Sequence, residues 1–170
     1  MQYALTYDDI QLVPAFSNIK SRTNINLRTM LSRRYGLLNP IVASPMDTVC
    51  EFDMALKMAE LGGVGCIHRF MSIEKQAKIV KQLYTAIHHD TIVEPSIAEA
   101  WGVMYDDWHG EINHVPIMAA IGVQEEDKDR ALALVEAGAN VLLIDVAHGD
   151  HQNVIDMIHW CKTQDDLVMV

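Results

Sequence analysis

Two hydrophobic rhythms alternate along this chain from residue 40 onward. Four short runs are almost wholly apolar: Pro40-Ile41-Val42-Ala43, Val64-Gly65-Cys66-Ile67, Ile117-Met118-Ala119-Ala120-Ile121 and Val141-Leu142-Leu143-Ile144. The stretches between them space apolar residues three and four apart. Met54, Ala55, Met58 and Leu61 mark one such stretch, and Ile73, Ala77, Val80 and Tyr84 the next. Val154, Ile155, Ile158 and Cys161 mark the last. A short continuous apolar run reads as a strand buried on both faces, and a spacing of three and four as a helix with one buried face. The pattern therefore predicts strands at about 41–44, 64–67, 117–122 and 141–145. It predicts helices at about 49–61, 72–84, 125–137 and 152–162, with a fifth strand beginning at Leu167–Val170.

The punctuation between runs agrees with this reading. Gly62-Gly63 and Gly138 stand where helices end. Ser72 stands where a helix N-cap belongs. Thr48 and Glu51 have the spacing of a capping box. Repeated strand–helix units make an α/β fold with a parallel sheet, either open or closed into a (β/α)8 barrel, and periodicity does not separate the two. Two regions break the rhythm. In residues 1–39, Asp8–Val13 reads as a short strand stopped by Pro14, and Ser21–Leu27 alternates like a half-exposed strand. Arg33 and Arg34 precede a turn at Tyr35-Gly36. Residues 85–114 hold at most a short helix, Ile97–Met104, and read as an inserted or linker segment.

Composition narrows the class. At 170 residues, 50% hydrophobic and 21% charged, the chain is long and apolar enough for one domain with a real core. A net charge of −10 argues against non-specific nucleic-acid binding and against docking on an anionic membrane. No apolar run approaches the ~20 residues of a membrane span, and Met1-Gln2-Tyr3-Ala4 has no basic flank followed by an apolar core, so no signal peptide is expected. Cys50, Cys66 and Cys161 are isolated and show no zinc spacing, so a reduced, cytoplasmic protein is expected.

The chemistry-bearing residues gather where strands end. Ser44 and Met46 follow the first strand: a hydroxyl suits a ribose or phosphate, and a thioether packs against a base. The competing reading has Ser44 capping a turn and Met46 filling core. Asp145 ends the fourth strand, which in a barrel is the C-terminal mouth where sites lie; the competing reading has it capping the next helix. His68 and Arg69 end the second strand, and His68 reads more readily as structural than catalytic. His88-His89-Asp90 reads as solvated loop, so no metal is expected. Gly62-Gly63-Val64-Gly65 follows a helix and precedes a strand, the wrong order for a dinucleotide fingerprint.

Four blocks in order carry a resemblance: Leu5–Pro14, Ser44-Pro45-Met46-Asp47-Thr48-Val49, Gly62–His68 and Val141–Gly149. Together they resemble the IMP dehydrogenase / GMP reductase family. The resemblance implies a (β/α)8 TIM-type barrel of which residues 1–170 supply about the first five strands. It implies a nicotinamide-linked oxidoreductase acting at the 2-position of a purine nucleoside monophosphate, with NADPH or NAD. Ser44 and Met46 would contact the nucleotide. Asp145, Val146 and Ala147 would lie against the cofactor. The family's nucleophilic cysteine sits on a glycine-rich loop after the sixth strand, so the chain alone is expected to be inactive. A homo-oligomer, a tetramer when complete, or a complementary C-terminal half is the implied partner. IMP dehydrogenases insert a pair of CBS modules at about residues 85–114, where this chain has thirty residues. That, with Asp145-Val146-Ala147-His148-Gly149, favours GMP reductase. Ser44–Asp47 and Gly62–His68 look as much like IMP dehydrogenase. A non-catalytic half-barrel that binds a nucleotide or a partner is the alternative from another class.

Overall fold

A computed structural model describes residues 4–32, 35–88 and 115–164. Four strands form one parallel sheet: β3 (Val42–Ala43), β4 (Val64–Ile67), β5 (Met118–Ile121) and β6 (Val141–Ile144). They lie in the order β3-β4-β5-β6, which is also their order along the chain. Cys66 pairs with Met118, and Met118 with Val141, so the strands keep a common level across the sheet. A separate antiparallel hairpin joins β1 (Thr29–Met30) to β2 (Gly36–Leu37).

Among the described residues four α-helices follow the parallel strands: α1 (Phe52–Glu60), α2 (Ile73–His88), α3 (Glu126–Glu136) and α4 (Gln152–Thr163). Side chains alternate along each strand, so the sheet has two distinct faces. On one face Ile67, Ala119, Ile121 and Leu142 pack with the buried residues of all four helices, Ala55, Val80, Leu134 and Cys161 among them. On the other face Val64, Cys66, Met118, Ala120 and Val141 pack with Tyr35 and Leu37 of the hairpin and with no helix among the described residues. The sheet is therefore wound in one direction only. A doubly wound sheet reverses its strand order and carries helices on both faces.

The helix stops match the glycines. Gly62 adopts φ +78 and Gly138 φ +109, the left-handed region that a side chain disfavours. Ser72 Oγ accepts the Lys75 N–H at 3.2 Å, as an N-cap should.

Several expectations need correction. Residues 8–13 are not a strand: Tyr7–Asp9 is a single 3-10 turn, closed by Asp9 accepting the Thr6 N–H at 2.9 Å. Residues 21–27 hold another such turn, Arg22–Asn24, because the Ser21 hydroxyl accepts the Thr23 N–H. Gly36 begins β2 instead of making a turn. The Thr48–Glu51 capping box does not form, and α1 starts three residues later than the pattern implied. The N–H groups of Val49 and Cys50 both go to the Met46 carbonyl, closing a turn that holds the helix start back. The Glu51 carboxylate is meanwhile taken by His68 and Lys75.

Helix faces are also rotated from the pattern. Met54, Leu61 and Ile155 are exposed, while Ala59, Gln76, Leu83 and Met157 are buried. α2 continues one turn past Tyr84, so His88 is helical, its Nδ1 within 2.9 Å of the Tyr84 carbonyl. Arg33 and Arg34, His89, the helix at Ile97–Met104, the strand at Leu167–Val170 and most of segment 85–114 lie outside the described residues.

Candidate functional site

A parallel sheet sends all its strand C-termini to one edge, where loops and helix N-termini leave polar groups free for a ligand. Ser44, His68, Gly122 and Asp145 each follow directly, or one residue on, from β3, β4, β5 and β6. Sequence positions as far apart as 44 and 145 are thereby brought to one edge.

Asp145 is anchored through its backbone: its N–H donates to the Ile121 carbonyl at 2.9 Å. Its side chain is only 31% exposed and continues the parity of Val141 and Leu143, on the face away from the helices. The Cys66 thiol on that face is pushed up mainly by burial, then by Cys50 and by the Asp145 charge. Asp145 does not cap α4. That role belongs to His151, whose Nδ1 accepts the Asn153 N–H at 3.1 Å. The carboxylate is thus left facing the strand-end edge. Val146 beside it is half-buried and Ala147 exposed.

Arg69 completes this corner. From the end of β4 its guanidinium crosses the end of β5 to β6. Nε donates to the Asp145 carbonyl at 3.2 Å and lies 3.8 Å from the carboxylate. Gly122 sits at the strand end it crosses.

Ser44 and Met46 occupy a tight loop. The Met46 N–H donates to the Ser44 carbonyl at 2.8 Å, and the next turn closes on the Met46 carbonyl. Met46 is 51% exposed, so it does not fill core. Ser44 is exposed too. An open depression of about 490 Å³ flanks the start of α1, lined by Asp47, Glu51 and Lys57 among others. None of Ser44, Met46 and Asp145 lines it.

His68 is buried and fully engaged. Its Nδ1 accepts the Phe70 N–H at 3.2 Å, so the proton sits on Nε2, which donates to Glu51 Oε1 at 3.1 Å. Lys75 donates to the same oxygen at 3.2 Å. The hydrogen bonds from His68 and Lys75 hold the Glu51 carboxyl below its ordinary value. This bridge ties the start of α1 to the end of β4, which fits the structural reading of His68.

The thiols are not built as nucleophiles. Cys50, Cys66 and Cys161 are all buried. Burial pushes Cys50 up to about 11 and raises Cys161 as well. Cys50 lies in the turn before α1, not in the helix. Among the described residues no cluster of His, Cys, Asp or Glu has the arrangement of a metal site.

Two buried polar residues, Gln76 and Asp127, and the part-buried Arg130 beside them went unmarked in the sequence. Gln76 alone carried a signal, since it falls on the same helical face as Ile79, Val80 and Leu83.

The fold and this edge define a singly wound parallel α/β protein with Ser44, His68, Arg69 and Asp145 gathered at the strand C-termini. The family model described as IMP dehydrogenase / GMP reductase domain matches residues 4–170, and the chain belongs to that family of oxidoreductases. A GMP reductase of Leishmania major is 28% identical over 93% of this chain and 54% of its own length. An inosine-5'-monophosphate dehydrogenase of Borreliella burgdorferi is 31% identical over 95% of this chain and 45% of its own. One from Nitrosopumilus maritimus is 50% identical over 45% of this chain. The chain spans about half the length of the first two.

Proposed function

We propose that this chain forms the first strands of a (β/α)8 barrel that oxidises or reduces a purine nucleoside monophosphate at its 2-position. The observation that carries this reading is the corner made by Arg69 and Asp145 at the strand-end edge. Barrel enzymes place their sites at that edge. The single winding direction of the sheet, with helices on one face only, supports a barrel over an open doubly wound sheet.

In this reading Ser44 and Met46 hold the nucleotide, Ser44 by hydrogen bonding and Met46 by packing on the base. Asp145 takes the hydroxyls of the nicotinamide ribose, with Val146 and Ala147 lining the approach. The donor set fits such a group: a part-exposed carboxylate, not spent on a helix cap, with a guanidinium beside it. The bound nicotinamide supplies or accepts hydride. Arg69 keeps the Asp145 backbone in place and offsets its charge. Residues 85–114 then replace the CBS pair as a short connection. With Asp145–Gly149, this favours GMP reductase and NADPH over IMP dehydrogenase and NAD. The nucleophilic thiol is not among Cys50, Cys66 and Cys161, so the chain alone binds without turning over.

Calorimetric titration with GMP, IMP, NADPH and NAD tests the reading. Binding of one mononucleotide and one dinucleotide is expected. Asp145→Ala should weaken the dinucleotide while leaving the mononucleotide unchanged. Absence of binding by either class, or a purine adduct on any of the three cysteines by mass spectrometry, would overturn it.

A further inference from the structure

A fully buried glutamine is costly unless every polar atom it carries is satisfied. Gln76, 0% exposed, meets that condition. Its Nε2 has two hydrogens and two acceptors: the Ile67 carbonyl at 3.2 Å and the Ala120 carbonyl at 2.9 Å. Its Oε1 accepts from Arg130 Nη1 at 2.7 Å. Arg130 Nη2 donates to the Met71 carbonyl at 3.2 Å. Arg130 Nε lies 3.4 Å from Asp127 Oδ1 but makes no hydrogen bond there. Asp127 Oδ2 accepts the Gln124 N–H at 2.9 Å, fixing the loop after β5.

The placement of these bonds matters more than their number. Ile67 and Met71 are the residues on either side of His68-Arg69-Phe70. Gln76 holds the carbonyl before that segment and Arg130 the carbonyl after it. His68 holds its interior through Phe70 N–H and Glu51. Within this frame the Arg69 side chain reaches across to Asp145. Ala120, the third carbonyl, lies in β5, the strand between β4 and β6.

We infer that Gln76 and Arg130 are positioning residues: they clamp the two ends of the β4–α2 loop and so aim Arg69 at Asp145, setting affinity for the nicotinamide dinucleotide. This rests on the proposed role of Asp145. The competing account is that the network merely fastens α2 to α3.

A double-mutant cycle separates the two. Arg130→Lys keeps the charge but loses the fork that reaches Gln76 and Met71 together. Dissociation constants for NADPH and GMP are measured by calorimetry for wild type, Arg130→Lys, Arg69→Ala and the double variant, with thermal unfolding recorded for each. The expected result is NADPH binding weakened about tenfold by Arg130→Lys, GMP binding unchanged, and no further loss when Arg69 is already alanine. Equal loss for both ligands, or the same loss with and without Arg69, makes the network a fastener only and overturns the inference. So does NADPH affinity unchanged by Arg130→Lys. Should Arg130→Lys not fold, Gln76→Met, which removes the Ile67 and Ala120 bonds while filling the volume, enters the same cycle. A wild-type chain that binds neither ligand overturns the proposed function itself, a result distinct from all of these.

Discussion

At the scale of single residues, burial decides reactivity. Cys50 would be an unremarkable thiol in an unfolded chain. In the fold it is buried under α1, and its thiol is pushed from 9.0 up to about 11. Between those values the unfolded chain has released the proton and the folded chain still holds it. Stability from this group is therefore complete below about pH 9 and is lost as pH rises toward 11. Urea unfolding across that range should show a falling midpoint, and Cys50→Ala should make the fall shallower. A midpoint flat from pH 9 upward would refute it. Glu51 works in the other direction. His68 and Lys75 stabilise its charged form, so its contribution is present above the ordinary carboxyl range and lost as pH drops through its lowered value. In Glu51→Gln the acid-side decline in stability should start from a lower plateau and be less steep.

Elements meet here through small residues. Gly65 of β4 lies under α1, where an added Cβ would stand 2.7 Å from the Ala55 Cα and 2.8 Å from Cys50 Sγ. The first of these is backbone and has no side chain to rotate away. Gly65→Ala should push α1 off the sheet and cost about 1–3 kcal/mol by chemical denaturation; a cost below a few tenths would show that helix and strand are not in contact as described. Ser72 is the N-cap of α2, and Ser72→Ala should cost about 1 kcal/mol, with Ser72→Asp recovering most of it.

At the scale of the molecule, the described sheet has two open edges. Among the described residues β3 pairs only with β4, and β6 only with β5. Ile41 and Val42 on the β3 side are 56% and 42% exposed. Leu12, Val13 and Phe16 in the N-terminal arm are almost fully exposed. Open edges and exposed apolar side chains invite pairing. As residues 1–170 alone, the chain should self-associate at micromolar concentration. Light scattering that finds a 19.1 kDa monomer throughout would contradict this.

The sequence by itself determined which segments are strands and which are helices in the parallel part of the fold, and, at Gly62 and Gly138, where α1 and α3 stop. That information is local: apolar runs of four or five, spacings of three and four, glycines that alone tolerate a positive φ. It also carried the family, through blocks such as Ser44–Val49 and Val141–Gly149. Only the tertiary structure decided which face each helix buries, because Met54 and Ala59 are equally apolar in the sequence and differ only in what stands opposite. Only it showed Glu51 drawn from a capping box to His68, since a carboxylate goes where the stronger donors are. And only it joined Arg69 to Asp145, and Gln76 to Arg130, because residues 76 and 54 positions apart meet through the register of three parallel strands and the packing of two helices.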